Sequence, residues 1–255
     1  MKFAIALDAW PSNDIASVAL RCRELAYDGL DLAAPASLDD AGVTSVRAAL
    51  ESAEVALVCL ATPVLFTSNA KTDNPQTELL KRVIDLAQRL ACPLVSLRDV
   101  DTRCRLKGSS AVNMLLPLLE PLGCYAMDRN VTLVIENGPT LRTAADAWSL
   151  LERLANPAVA CCWSLRNADK VGESPSVSIP TLNSRIEHVR FPAIEAGPAA
   201  ADVALRLAIQ RLRGVGYDHY VSVSGMSVGP QSGSGTPPLA AAREKLLNWS
   251  SPRPR

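Results

Sequence analysis

The chain alternates short apolar runs with amphipathic segments eight times along its length, and this alternation limits its fold more than any other feature. Runs at 2–8 (KFAIALD), 29–34, 54–61, 93–100, 131–138, 158–165, 185–192 and 219–225 read as strands. They are nearly continuous in apolar character, as a sheet covered on both faces requires. Helical spacing recurs between them at about 13–27, 39–53, 74–91, 109–129, 144–154, 199–213 and 238–249. In the first helix Ile15, Val18, Ala19, Cys22 and Leu25 share a face, with Asn13 or Asp14 placed to cap it. The sixth connection, SPSVSIPTLNS, is Pro-rich and reads as short or irregular. Such alternation implies parallel strands joined by right-handed crossovers. Eight units of about 30 residues each suit a single closed (β/α)₈ barrel over residues 1–249. An open doubly wound sheet is the alternative, although no GxGxxG follows the first strand to favour a dinucleotide-binding version. The tail 250–255 (SSPRPR) is expected to be disordered.

Charge and cysteine content exclude several functions. Lys+Arg and Asp+Glu number 26 each, so no bulk charge recruits nucleic acid or an acidic membrane. No stretch reaches the roughly 18 apolar residues that span a bilayer. The apolar start is broken by Asp8 and the following PSND segment, so it reads as a strand and not a signal sequence. A cytoplasmic location is expected. The seven cysteines (Cys22, Cys59, Cys92, Cys104, Cys124, Cys161, Cys162) form no CxxC pair and read as reduced apolar fillers. With two histidines in the chain, a zinc cluster is disfavoured.

In a barrel of this kind, functional side chains come from the C-terminal strand ends. The polar residues there are Asp8, Asp31, Arg98, Glu136, Ser164, His188, Arg190 and Ser224. Burying ionised groups so near a core costs several kcal/mol unless they are paired or bind a ligand. His188, two residues before Arg190, shares its inward face but lies deeper, and reads as a hydrogen-bonded core residue or a site residue. His219 opens the last strand at the opposite end and reads as structural. Arg103, Arg105 and Lys107 form a solvated loop or an attractor for anions, and 225–238 forms a mobile loop or a backbone phosphate cradle. Trp10 and Trp163 either stack on a ligand's ring or pack into the core.

Several segments, in order along most of the chain, resemble the sugar phosphate isomerase/epimerase family of the xylose isomerase-like TIM barrel superfamily. ELAYDGLDL resembles that family's second-strand stretch, VTLVIENG its fifth-strand Glu motif and VACCWSLRNA its sixth-strand Asp/His stretch. RIEHVRFPA is similar to its seventh-strand His motif, and GVGYDHYVSVSG to its eighth-strand Glu motif. The resemblance implies a divalent metal held by two Glu, an Asp and a His, with the two Glu serving as acid and base beside a carbonyl. Carried across by position, Glu136 is retained. Ser164 stands for the Asp, Asn167 for a His three residues on, Arg190 for the metal-binding His and Ser224 for the second Glu. Gly138 stands where a His often follows the first Glu.

An arginine stays protonated and offers donors only, so it cannot ligate a cation. The expectation is therefore a site without metal or other cofactor, in which Arg190 pairs with Glu136 and takes over the metal's electrostatic role. A displaced metal site of Asp31, Glu136 and His188 is the alternative. The expected ligand is small, polar or anionic and sugar-like, held by Asp31, Arg98, Glu136, Ser164, Asn167, His188, Arg190 and Ser224. Three functions fit these residues: a non-catalytic binding barrel, a metal-independent isomerase, epimerase or lyase with Glu136 as base and Arg190 as electrophile, or a structural homo-oligomer. A DNA-repair endonuclease is disfavoured, because that reaction needs a metal cluster richer in His and carboxylates. Neither nucleic acid nor a membrane is an expected partner.

Overall fold

The computed structural model describes residues 1–11, 14–64, 75–99, 108–194, 201–224 and 238–251. Eight strands pair in sequence order, all parallel, and β8 closes on β1 to complete a barrel. They are β1 (Lys2–Leu7), β2 (Gly29–Ala33), β3 (Ala56–Val64), β4 (Leu94–Asp99), β5 (Thr132–Glu136), β6 (Val159–Ser164), β7 (Ile186–Phe191) and β8 (Tyr220–Val223). The helices are α1 (Ile15–Glu24), α2 (Asp40–Ala53), α3 (Pro75–Arg89), α4 (Ser109–Met127), α5 (Ala144–Leu154), α6 (Leu165–Lys170), α7 (Pro175–Leu182), α8 (Ala201–Gly214) and α9 (Pro238–Ser250). The fold is the (β/α)₈ barrel expected from the alternation, and the open sheet is excluded by the β1–β8 pairing.

The sixth connection differs from the expectation: it holds two helices, α6 and α7, followed by a 3₁₀ turn at Asn183–Arg185. Its prolines do not prevent this. Pro175 sits in the first turn, where a missing N–H costs nothing, and the Ser174 side chain caps by accepting from the Ser176 N–H. Ser178 turns its hydroxyl to Glu173 and to the Ser174 carbonyl, which keeps it satisfied while buried. At α1, Asp14 occupies the N-cap position without a side-chain hydrogen bond, and Asn13 lies outside the described residues. Helix α9 runs through Ser250, into the segment expected as tail, and 252–255 lie outside the described residues.

Two apolar clusters separate the layers. The larger lies between strands and helices and contains Ile5, Leu30, Leu97, Ile135, Trp163 and Phe191. The smaller lies in the barrel interior and contains Ala4, Val58, Cys59, Leu94, Val134, Ala160 and Cys162. Trp163, fully buried in the larger cluster, is therefore a packing residue, and Trp10 packs partly buried against the same cluster. Beside and above this cluster are buried polar positions, at Asp31, Ser96, His188, Arg190 and Ser222.

Register slips once on each side of this polar layer, between Leu30 and Asp31 against β3 and between Cys161 and Cys162 against β7. Bulges of this kind re-aim side chains. Here they set Asp31 beside Cys59 and Cys162 beside His188. Gly29 makes the approach beneath Asp31 possible: an added Cβ would meet Val58 Cγ2 at 2.4 Å and the Ala56 carbonyl oxygen at 2.9 Å. Gly29→Ala is expected to cost about 1–3 kcal/mol by overpacking. Urea unfolding of the variant checks this, and an unchanged midpoint would show that β2 and β3 can part without penalty.

Candidate functional site at the barrel mouth

The polar layer is built around one guanidinium. Arg190, on β7, donates from Nε to Asp31 Oδ2 at 2.9 Å and from Nη2 to Asp31 Oδ1 at 2.5 Å. This two-pronged pair spans the barrel from β7 to β2, and both residues are buried. The third guanidinium nitrogen, Nη1, lies 3.4 Å from Glu136 Oε2 at the end of β5. The expected Arg190–Glu136 pairing is thus present but secondary, and Asp31 is the principal partner. Sequence position could not reveal this, because which inward side chains meet across the barrel is set by strand stagger, which no local pattern carries.

Asp31 is itself fixed from below. His188 Nε2 lies 2.9 Å from Asp31 Oδ2 and 3.0 Å from Ser222 Oγ. An ionised Asp31 only accepts, which assigns the proton to Nε2 and leaves Ser222 Oγ to share it. His188 Nδ1 is buried with no hydrogen-bond partner among the described residues. Burial alone would push the Asp31 carboxyl up. The Arg190 charge and the His188 hydrogen bond outweigh it and bring the carboxyl from its usual 3.8 down to about 2. Arg190 shows the reciprocal result: burial favours losing the proton, but Asp31 and Glu136 hold it on well above the ordinary arginine value.

A carboxyl held low in the fold stabilises it above the unfolded-state value and loses that contribution as pH falls through the folded value. Asp31 is therefore expected to contribute on the order of 2 kcal/mol that disappears between about pH 4 and pH 2. The unfolding free energy followed over that range should fall less steeply in Asp31→Asn. An equally steep fall in the variant would remove Asp31 as the cause.

Glu136 is the carboxylate that faces the mouth. Besides Arg190, it meets Arg98 Nε at 3.5 Å, and Arg98 Nη1 donates in turn to Asp8 Oδ1 at 2.9 Å. Its other oxygen accepts from Asn167 Nδ2 at 3.0 Å, and the same amide reaches the Asn137 carbonyl at 2.7 Å. Lys170 Nζ then donates to Asn167 Oδ1 at 3.2 Å, which sets the amide's orientation. Asn137, which the sequence reading passed over, ties β5 to β6. Its side chain accepts from the Ser164 N–H at 2.6 Å and donates to the Ser164 carbonyl at 3.1 Å. Its position directly after Glu136 at a strand end was the available signal.

A cavity of about 860 Å³ opens over these groups. Arg98, Glu136, Ser164, Asn167, Arg190 and Ser224 all line it, so six of the eight expected ligand-binding residues converge on one space. Asp31 and His188 do not line it; they lie beneath Arg190, at 1% and 0% exposure. Asp8, Arg166 and Lys170 add charge at the rim, while Pro139 and Pro192 supply apolar surface. His219 is half exposed beside Glu187 and Asp218 at the other end of β8. The segments with Arg103, Arg105 and Lys107 and with 225–237 lie outside the described residues.

The groups at the four positions where the resemblance places metal ligands do not suit a divalent cation. They are one carboxylate, two hydroxyls (Ser164, Ser224) and a guanidinium, and that guanidinium lies 3.4 Å from the carboxylate. Such a cation needs several anionic or neutral acceptors converging on one point. The displaced set of Asp31, Glu136 and His188 is likewise separated, because Arg190 lies between the two carboxylates and bonds to both. Among the described residues, the set within metal-binding reach is Asp31, Cys59 and His188. No helix there is long and apolar enough to cross a membrane.

The fold has well-matched solved relatives. D-psicose 3-epimerase in the presence of D-fructose superposes with a TM-score of 0.79 at 16% identity, covering 97% of this chain and 98% of that one. L-ribulose 3-epimerase gives 0.79 at 13% identity, with 98% and 94% covered. A 3-keto-D-glucoside 4-epimerase from E. coli gives 0.75 at 13% identity, with 98% of each chain covered. A search of curated proteins by sequence finds no match. The family model described as xylose isomerase-like TIM barrel matches residues 15–224, and the chain belongs to that family.

Proposed function

We propose that this barrel binds a small polar or anionic, sugar-like ligand at its C-terminal mouth and has lost the metal-dependent isomerase reaction that its resemblance implies. The observation that carries this reading is the buried Arg190 guanidinium, bonded to Asp31 and adjacent to Glu136. A permanent cation at that place satisfies the carboxylates a metal would otherwise neutralise, and it repels a second cation. The cavity suits a polyol: Arg98, Ser164 and Ser224 offer donors, Glu136 accepts, and Pro139 and Pro192 give an apolar wall. The second Glu that a two-base proton transfer needs is a serine, Ser224, with no histidine or carboxylate partner among the described residues.

A second reading has its own support. Glu136 and the Arg190 Nη1 are neighbours at 3.4 Å, a base beside a fixed positive charge. That pair would serve a metal-independent isomerase, epimerase or lyase in which Glu136 removes a proton next to a carbonyl and Arg190 stabilises the developing oxyanion. A thermal-shift and calorimetric screen of neutral sugars, sugar acids and sugar phosphates tests the binding reading. One class is expected to raise the melting temperature, and Glu136→Gln or Asn167→Ala to abolish the rise. If no member of any class shifts the native protein, the binding reading fails. Turnover of a bound compound, lost in Glu136→Gln, would favour the second reading.

A further inference from the structure

We infer that Asp31, Cys59 and His188 form a transition-metal site one layer below the mouth, and that the protein fills it with its own cation, Arg190. Once that guanidinium is removed, the site takes a thiophilic divalent ion such as Co²⁺ or Zn²⁺. This goes beyond the ligand-binding reading and does not require that a ligand bind at the mouth.

Three strands contribute. Asp31 comes from β2, Cys59 from β3 and His188 from β7, and their ligand atoms all lie within 4.8 Å of one another. All three residues are buried, at 1% exposure or less. A carboxylate, a thiolate and an imidazole are a donor set that Zn²⁺ and Co²⁺ accept in tetrahedral geometry, with water as a fourth ligand. Cys59 reaches this position only because β3 slips one residue against β2 at Leu30/Asp31, so that Cys59 pairs with Asp31. A regular ladder would have paired Val58 there.

What holds the site shut is also visible. Arg190 takes both oxygens of Asp31, and Asp31 in turn takes the Nε2 proton of His188, so two of the three ligands are committed. Cys59 is protonated: burial pushes its thiol well up, Asp31 pushes it further, and Arg190 lowers it only in part. A divalent ion brings twice the charge of the guanidinium and displaces the thiol proton on binding. Arg190 lines the mouth cavity while Asp31 and His188 lie beneath it, so truncating Arg190 opens a path from solvent to the three ligands. Binding through Nε2 moves the ring proton to Nδ1, which lacks a partner among the described residues. The missing outer hydrogen bond lowers the expected affinity roughly 10–100-fold relative to a fully supported site.

The test is Co²⁺ titration of the full chain as native protein, Arg190→Gln and Arg190→Ala, each stripped of metal beforehand. Both variants are expected to take one Co²⁺ per chain, show thiolate-to-cobalt charge-transfer absorption and melt at higher temperature with Co²⁺ present. The native protein is expected to show none of these. Adding Cys59→Ser to Arg190→Gln should remove the absorption. The inference is overturned if folded Arg190→Gln takes up no Co²⁺, or takes it up without thiolate absorption. Thiolate absorption in the native protein overturns it as well. Where a variant does not fold unaided, refolding in Co²⁺ should rescue it, and failure of rescue in both variants counts against the site. No cysteine is among the residues lining the mouth cavity, so an ion bound there by native protein would lack the absorption and would contradict the metal-free reading instead.

Discussion

Arg190→Met, assayed in chelator, is expected to lower the unfolding free energy by about 3–5 kcal/mol, because it strands a buried carboxylate. For a domain of this size the melting temperature should drop on the order of 10 °C. The loss comes mainly through Asp31, which is 1% exposed and takes two of its hydrogen bonds from this guanidinium. Glu136 suffers less, since Arg98 and Asn167 remain beside it. The double variant Asp31→Asn, Arg190→Met should therefore recover more than half of the deficit: without the carboxylate charge, the missing guanidinium leaves little uncompensated. Urea unfolding of the two single variants and the double variant measures this. Simple additivity would contradict the account, since it would mean the two residues stabilise the barrel independently.

The second large effect is a gain. Arg190→His combined with Ser164→Asp and Ser224→Glu is expected to create a Mn²⁺ site at the mouth that the native chain lacks. Glu136, Ser164, Arg190 and Ser224 line one cavity, and Ser164 pairs in register with Arg190 across β6 and β7. The three substitutions remove the resident cation and supply two carboxylates and an imidazole around the retained Glu136, a donor set that suits Mn²⁺. Equilibrium dialysis should find one Mn²⁺ per chain in the triple variant, with a rise in melting temperature on loading. A folded triple variant that takes up no metal would show that the positional correspondence with the family is wrong.

The barrel was legible because its two signals, apolar runs and helical spacing, recur eight and seven times and survive errors of a residue or two at each end. The sixth connection was not, because Pro175 reads as a breaker although it is a favourable first-turn residue once Ser174 caps the helix. At the site, strand alternation set His188 and Arg190 on one inward face, and the cavity brings Arg190 together with Arg98, Glu136, Ser164, Asn167 and Ser224. The partner of Arg190 was harder to read. Pairing across a barrel depends on strand stagger, which no local pattern carries, and the β2–β3 ladder also slips once, between Leu30 and Asp31. The same slip explains why Cys59, taken as an apolar filler from composition, sits within reach of Asp31 and His188. Asp31 and His188 lie beneath Arg190 and do not line the cavity, and the depth of His188 follows from its place two residues earlier on β7.

On the binding reading proposed above, a guanidinium occupies the place of a metal ion. Metal analysis of native protein, after dialysis against Mn²⁺, Mg²⁺, Co²⁺ and Zn²⁺ in turn and removal of loosely held ions, tests it most directly. The account predicts no stoichiometric divalent ion and an unchanged melting temperature with each metal. One tightly bound ion per chain, retained in Cys59→Ser and lost in Glu136→Gln, would contradict it.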